Sequence, residues 1–177
     1  MRQLAAACDL HIATLYHYFA SKSDLLGAIV ADRHYDAGLR DLALPVDTAL
    51  APRARLEAFF ATLATQALGE LRLWRVLIGE SLRDDAVALA EARRLSGALE
   101  QAIDRWLGEL FPELGAPPGS AAAPSALPAR APTTTVVTGQ LLAVFLEEML
   151  LGDDDRTTRI AHRAAATAAV VFPGPPG

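Results

Sequence analysis

The sequence predicts an all-α protein, an N-terminal helix-turn-helix followed by a larger helical bundle, and three observations predict it. Apolar residues recur at i, i+3, i+4 and i+7 along most of the 177-residue chain, the repeat of a helix with one buried face. Hydrophobic residues make up 52% of the chain and alanine dominates them, which favours helix over sheet. No alternating pattern marks a strand, and no internal repeat appears.

The first predicted helix is Arg2-Gln3-Leu4-Ala5-Ala6-Ala7, in which Leu4 and Ala7 or Cys8 fall at helical spacing and can face a shared core. Cys8-Asp9-Leu10 forms a short turn. In the second helix Leu15, Tyr18 and Phe19 stand at i, i+3 and i+4 and make an apolar face. Ile12, Ala13, Thr14, Tyr16 and His17 then point elsewhere. Small groups, hydroxyls and imidazoles are the types that touch phosphates, base edges and thymine methyls. Two short helices joined in this way form a helix-turn-helix, whose second helix can enter a DNA major groove. Ser21 can cap a third helix, with Asp24 three residues on. Lys22 stands at that helix start, where free amide groups and an ammonium suit a phosphate.

From Ser23 the residues Leu25, Leu26, Ile29 and Val30 predict one helix running to about Leu39. Leu44-Pro45 and Ala51-Pro52 punctuate a connection, with Pro52 placed for a first helical turn. Leu56, Phe59, Phe60, Leu63 and Ala67 predict the next helix, ending near Gly69. Leu71 to Leu82 forms another, and a long one runs from about Asp85 to Leu110 with Leu95, Leu99, Ile103, Trp106 and Leu110 on one stripe. The segment Pro112 to Pro132 holds six of the eleven prolines and almost no charge, so a flexible loop is expected over 112–132. Two helices close the chain, near Thr134–Leu151 and Asp154–Val171, before a Pro-Gly tail. From Leu141 to Leu151 the first is apolar nearly all round except Glu147 and Glu148, and such a helix must be covered on more than one side. The last is rich in alanine (Ala161, Ala164, Ala165, Ala166, Ala168, Ala169), which permits close approach by another helix.

The net charge of −5 excludes a general polyanion binder. Residues 1–40 hold four basic side chains (Arg2, Lys22, Arg33, Arg40) and four acidic ones (Asp9, Asp24, Asp32, Asp36). DNA binding must therefore rest on placed contacts and dimerisation, not on a basic field. A single cysteine excludes an intramolecular disulfide and fits a reducing cytoplasm; Cys8 reads as a small buried residue. No run approaches the ~20 apolar residues of a membrane span, and no signal peptide is visible, so no membrane partner is expected. His11, His17, His34 and His162 lack ligand spacing, so no metal is expected. Without a nucleophile and base, paired carboxylates or a Gly-rich phosphate loop, neither enzyme activity nor a cofactor is expected. Asp153-Asp154-Asp155 reads as a solvated helix start, where acidic groups suit the helix dipole.

From Thr14 to Leu26 the chain reads Thr-Leu-Tyr-x-Tyr-Phe-x-Ser-Lys-x-x-Leu-Leu. This stretch, within about Arg2 to Val30, resembles the TetR family of bacterial transcriptional repressors. The resemblance implies that Thr14, Tyr16, His17 and Lys22 contact DNA, with Ile12 and Ala13 reaching the bases and His11 at the start of the recognition helix. Leu15 and Phe19 read as core, Tyr16 and His17 as surface contacts, and Tyr18 fits either. Asp9 stands where the family usually has Gly, and His11 where it usually has a capping Ser. Family members also carry an additional helix before the motif; its absence here suggests a start codon placed too late, or a truncated product. The DNA-binding region is accordingly 1–38, incomplete, and residues 39–172 form a ligand-binding and dimerisation domain. The resemblance further implies a homodimer through the last two helices, a palindromic double-stranded DNA operator, and a small-molecule effector. Phe59, Leu63, Gln66, Trp74, Ile78, Trp106, Phe145 and Met149 are the candidate pocket linings, each of which also reads as plain core. The expected function is a cytoplasmic repressor released by its effector. The alternative is a helical dimer that binds a small molecule or partner but has lost DNA binding.

Overall fold

Positions that repeat at helical spacing do form helices, and several of the breaks between them fall at a residue with a left-handed backbone, Asp9, His34 and Asp84 among them. The computed structural model describes residues 1–115, 129–152 and 155–173, and among these there is no strand. The chain divides into two compact units, Met1–Asp41 with Trp74–Gly97, and Leu42–Leu73 with Ala98–Gly177.

The first unit contains α1 (Arg2–Ala7), α2 (Ile12–Tyr18), α3 (Lys22–Asp32), α4 (Tyr35–Asp41), most of α6 (Leu71–Ser81) and the N-terminal part of α7 (Ala86–Leu110). Its buried side chains are Ala5, Leu15, Leu26, Val30, Leu77, Ala88 and Leu95. The helix expected from Ser23 to Leu39 is broken in two. His34 adopts φ 49°, and its Nδ1 lies 2.6 Å from the Asp32 carbonyl oxygen. A left-handed residue cannot continue the helical ladder, and a ring bonded to the backbone two residues back stabilises the break. Asp84, at φ 60°, turns the chain between α6 and α7, and the Asp85 carboxylate accepts the Ala88 N–H at 2.9 Å to cap α7.

In the second unit α5 (Pro52–Leu68) starts on Pro52, as predicted, and buries Leu56, Phe59, Phe60, Leu63 and Ala64. It packs on α9 (Arg156–Val171) and on α8 (Arg130–Leu151), which also pack on each other. The core is aromatic: Phe59 meets Trp106 and Phe111 edge-on at 6.4 and 6.1 Å, and Phe111 stacks on Phe172 at 5.9 Å. Arg55 is buried beside them, donating to the Leu110 carbonyl at 2.6 Å and to Glu113 at 3.1 Å, with its guanidinium over the Phe111 ring.

Both ends of the loop expected over 112–132 are helical instead. Pro112–Gly115 forms a 3-10 turn that buries Leu114, and α8 already begins at Arg130. Pro132 is tolerated because it lies in the first helical turn, where amide groups have no partner inside the helix. Residues 116–128 lie outside the described residues, as do Asp153 and Asp154 of the acidic run.

Two features of α8 bear on what its sequence leads one to expect. It spans 22 residues and reaches a mean hydropathy of 1.4, so by length and composition it could cross a membrane. Its alanine, threonine and glycine hide this from a search for unbroken leucine runs. Secondly, the described residues cover its apolar surface on one side. Val137, Leu141, Val144 and Phe145 are buried, whereas Leu142, Leu146 and Leu150 are exposed. Glu148 is buried among the first set because α9 neutralises it. Arg156 Nε and Arg159 donate to its two oxygens at 2.9 and 3.0 Å. Arg163 makes the parallel clasp to Glu147 at 2.8 Å and to Gln140 at 2.7 Å.

Candidate nucleic-acid interface

The turn between α1 and α2 is built from backbone hydrogen bonds. Leu10 N–H donates to the Ala5 carbonyl at 2.9 Å and Asp9 N–H to the Ala6 carbonyl at 3.3 Å. This is the Schellman pattern, which needs a left-handed residue just past the helix end. Asp9 supplies it at φ 54°, since a short polar side chain tolerates that region better than most. α1 and α2 pack on each other, and their buried residues are Ala5 and Leu15. The facing residues expected on α1 are therefore wrong: Leu4, Ala7 and Cys8 are exposed, and Ala5 takes the core position. A helix of six residues presents one narrow stripe, and a small residue lets two helices approach closely.

His11 precedes α2 in extended backbone and makes no side-chain cap, leaving its ring exposed. Ala13, Tyr16 and His17 are exposed, while Ile12 and Thr14 are half-buried. The seven positions named from the sequence, His11 to Thr14, Tyr16, His17 and Lys22, thus lie along α2 and at the first residue of α3. Leu15 is buried and Phe19 half-buried. Tyr18, placed on the apolar face by its spacing, is 73% exposed, its ring edge-on to His17 at 5.2 Å. α2 ends at Tyr18, and Phe19 is already extended at φ −132°, so helical spacing no longer relates the two residues. The short distance from His11 to Ser21 is the signal that could have limited this helix.

Ser21 caps α3: its hydroxyl accepts the Asp24 N–H at 3.0 Å and donates to the Asp24 carboxylate at 2.8 Å. Lys22 points its ammonium at Glu80 of α6, 2.6 Å away, and Glu80 also receives Arg83 at 2.7 Å. The Lys22 hydrogen bond is the main cause that holds the Glu80 carboxyl below its ordinary pKa. Ser23 donates a hydrogen bond to Asp85, which likewise lowers the Asp85 pKa. Neither carboxylate was legible as part of this site, because each lies about sixty residues away in sequence with no local pattern to mark it.

The candidate pocket residues are distributed more widely. Phe59, Leu63, Trp106 and Phe145 are buried in the second unit, with Phe59 and Trp106 in ring contact. Met149 is half-buried on α8. Gln66 is exposed and lines an open depression on α5 with Ala61, Thr62 and Thr65. Trp74 and Ile78, both half-buried, belong to the first unit.

Residues 1–29 match the family model described as bacterial regulatory proteins, tetR family. No curated protein and no solved structure matches the chain.

Proposed function

We propose, from the match of residues 1–29 to the tetR family model, that this chain is a DNA-binding transcriptional regulator of the TetR type, a cytoplasmic homodimeric repressor released by a small-molecule effector. The observation that carries the reading is the helix-turn-helix itself, with Leu15 turned inward and Ala13, Tyr16 and His17 outward. In this reading Ile12 and Ala13, which offer no side-chain hydrogen bond, touch thymine methyl groups, and Thr14, Tyr16, His17 and Lys22 hold the helix on phosphates. His11 borders the same groove.

One head without a net basic charge binds weakly, so a second copy is needed. The exposed Leu142, Leu146 and Leu150 on α8 and Ala161, Ala165 and Val170 on α9 support pairing of these helices across a two-fold axis. An effector that binds the DNA-free form more tightly lowers operator affinity by the same factor. Its lining is proposed among Phe59, Leu63, Gln66, Trp106, Phe145 and Met149 of the second unit.

Binding-site selection from random duplexes tests this. A palindrome should emerge, with half-sites about one helical turn or a multiple apart. Ile12→Ala should relax one base pair per half-site by on the order of 1 kcal/mol. Lys22→Ala should leave the selected sequence intact and reduce the salt slope by roughly one unit. Among compounds that raise the melting temperature, one should also release the operator. Selection of no sequence at all, or exchange of the two substitution effects, would overturn the assignment.

A further inference from the structure

Lys22 carries a phosphate contact in the proposed reading, yet its ammonium lies 2.6 Å from a carboxylate of its own chain. The two partners differ in freedom. The Glu80 side chain is 16% exposed and the Lys22 side chain 58%, so the carboxylate is held in place and the lysine stem can swing. A phosphate drawn to Lys22 would bring its negative charge to within a few ångströms of Glu80, and the repulsion makes the two acceptors compete. Arg83, exposed on the turn after α6, already donates to the same Glu80 oxygen at 2.7 Å. If Lys22 leaves, Glu80 keeps a cation and is not stranded as an unpaired charge. The Ser23–Asp85 hydrogen bond joins the same first turn of α3 to the start of α7, so the lysine can be released while α3 stays anchored.

We propose that Glu80 is an internal competitor of DNA phosphate for Lys22: binding hands the ammonium from Glu80 to a phosphate, and Arg83 remains to neutralise the carboxylate. This rests on the DNA-binding reading and adds to it a built-in brake on affinity. Nothing covalent is involved; one charge-assisted hydrogen bond is exchanged for another.

The test uses the full chain as wild type, Glu80→Gln, Lys22→Met and the double variant, titrated with a mixed-sequence DNA duplex by fluorescence anisotropy at several salt concentrations. Glu80→Gln should bind roughly two- to five-fold more tightly, the worth of a half-exposed ion pair. The gain should vanish in the Lys22→Met background, which separates competition for Lys22 from mere removal of a negative charge. Arg83→Met provides a second route should Glu80→Gln fail to fold. With Lys22 left as the sole cation on Glu80, DNA binding should weaken, and weaken less once Lys22 is replaced. Equal affinity of Glu80→Gln and wild type, or an equal gain in the Lys22→Met background, overturns the handover while leaving DNA binding standing. Absence of salt-dependent binding by any of the variants overturns the DNA-binding reading and the handover together.

Discussion

At the residue scale, Ser21 does the most with the fewest atoms. Its hydroxyl satisfies the Asp24 amide and also donates to the Asp24 carboxylate, so α3 starts at a defined residue with Lys22 and Ser23 aimed at α6 and α7. Ser21→Ala should cost about 1 kcal/mol of stability, the usual worth of a helix cap. Urea unfolding checks this, and Ser21→Asp, which restores the acceptor, should recover most of the loss. An unchanged midpoint for Ser21→Ala would mean that the cap is not limiting. This cap was legible in advance, because Ser followed three residues later by Asp is a local signal. The exposure of Tyr18 was not, since it depends on where α2 stops.

At the element scale, the join between α8 and α9 depends on a charge buried in apolar surroundings. Glu148 is almost fully buried and takes hydrogen bonds from Arg156 and Arg159. The Arg156 hydrogen bond comes first among the causes that depress its pKa, ahead of an opposing contribution from burial. A carboxyl whose folded pKa is lowered contributes stability above its unfolded pKa and loses it as pH falls through the folded value. The stability gap between wild type and Glu148→Gln should thus be widest near neutral pH and close in acid. At neutral pH the substitution should cost on the order of 2 kcal/mol, less than a fully buried pair because Arg156 remains half-exposed. Thermal unfolding across the acid range measures it; a gap that does not change with pH would assign the loss to packing instead. Glu147, held by Arg163, should follow the same direction with a smaller effect.

At the scale of the whole molecule, the surface that α8 and α9 leave uncovered is the one proposed above to pair with a second copy. Leu142 and Leu146 remain about half exposed and Leu150 more so, at one-turn intervals along α8. Burying them against a second copy removes apolar area from water without any change inside the chain. Light scattering should find dimers for the wild type and monomers for Leu142→Asp and for Ala165→Asp. Both variants should also lose affinity for a palindromic operator more than for non-specific duplex, because only the former needs two heads at fixed spacing. A dimer that survives both substitutions would remove this surface from consideration.

What the sequence by itself determined is whatever a local rule can decide. Helical periodicity located the helices, Pro52 and Ser21 marked their starts, and the order from Thr14 to Leu26 marked the helix-turn-helix. Asp9, standing where the resemblance expects Gly, takes the left-handed turn conformation because a short polar side chain tolerates it. Tertiary structure decided the rest, for reasons that no neighbouring residue encodes. His34 is the exception, a local break that the apolar pattern does not register. Ala5 enters the core in place of Leu4 because a small side chain lets the two short helices approach closely. Glu148 is buried because arginines on the next helix meet it, and Lys22 is occupied because Glu80 arrives from a distant helix. Such pairings join residues far apart in sequence, and only folding brings their charges close enough to interact.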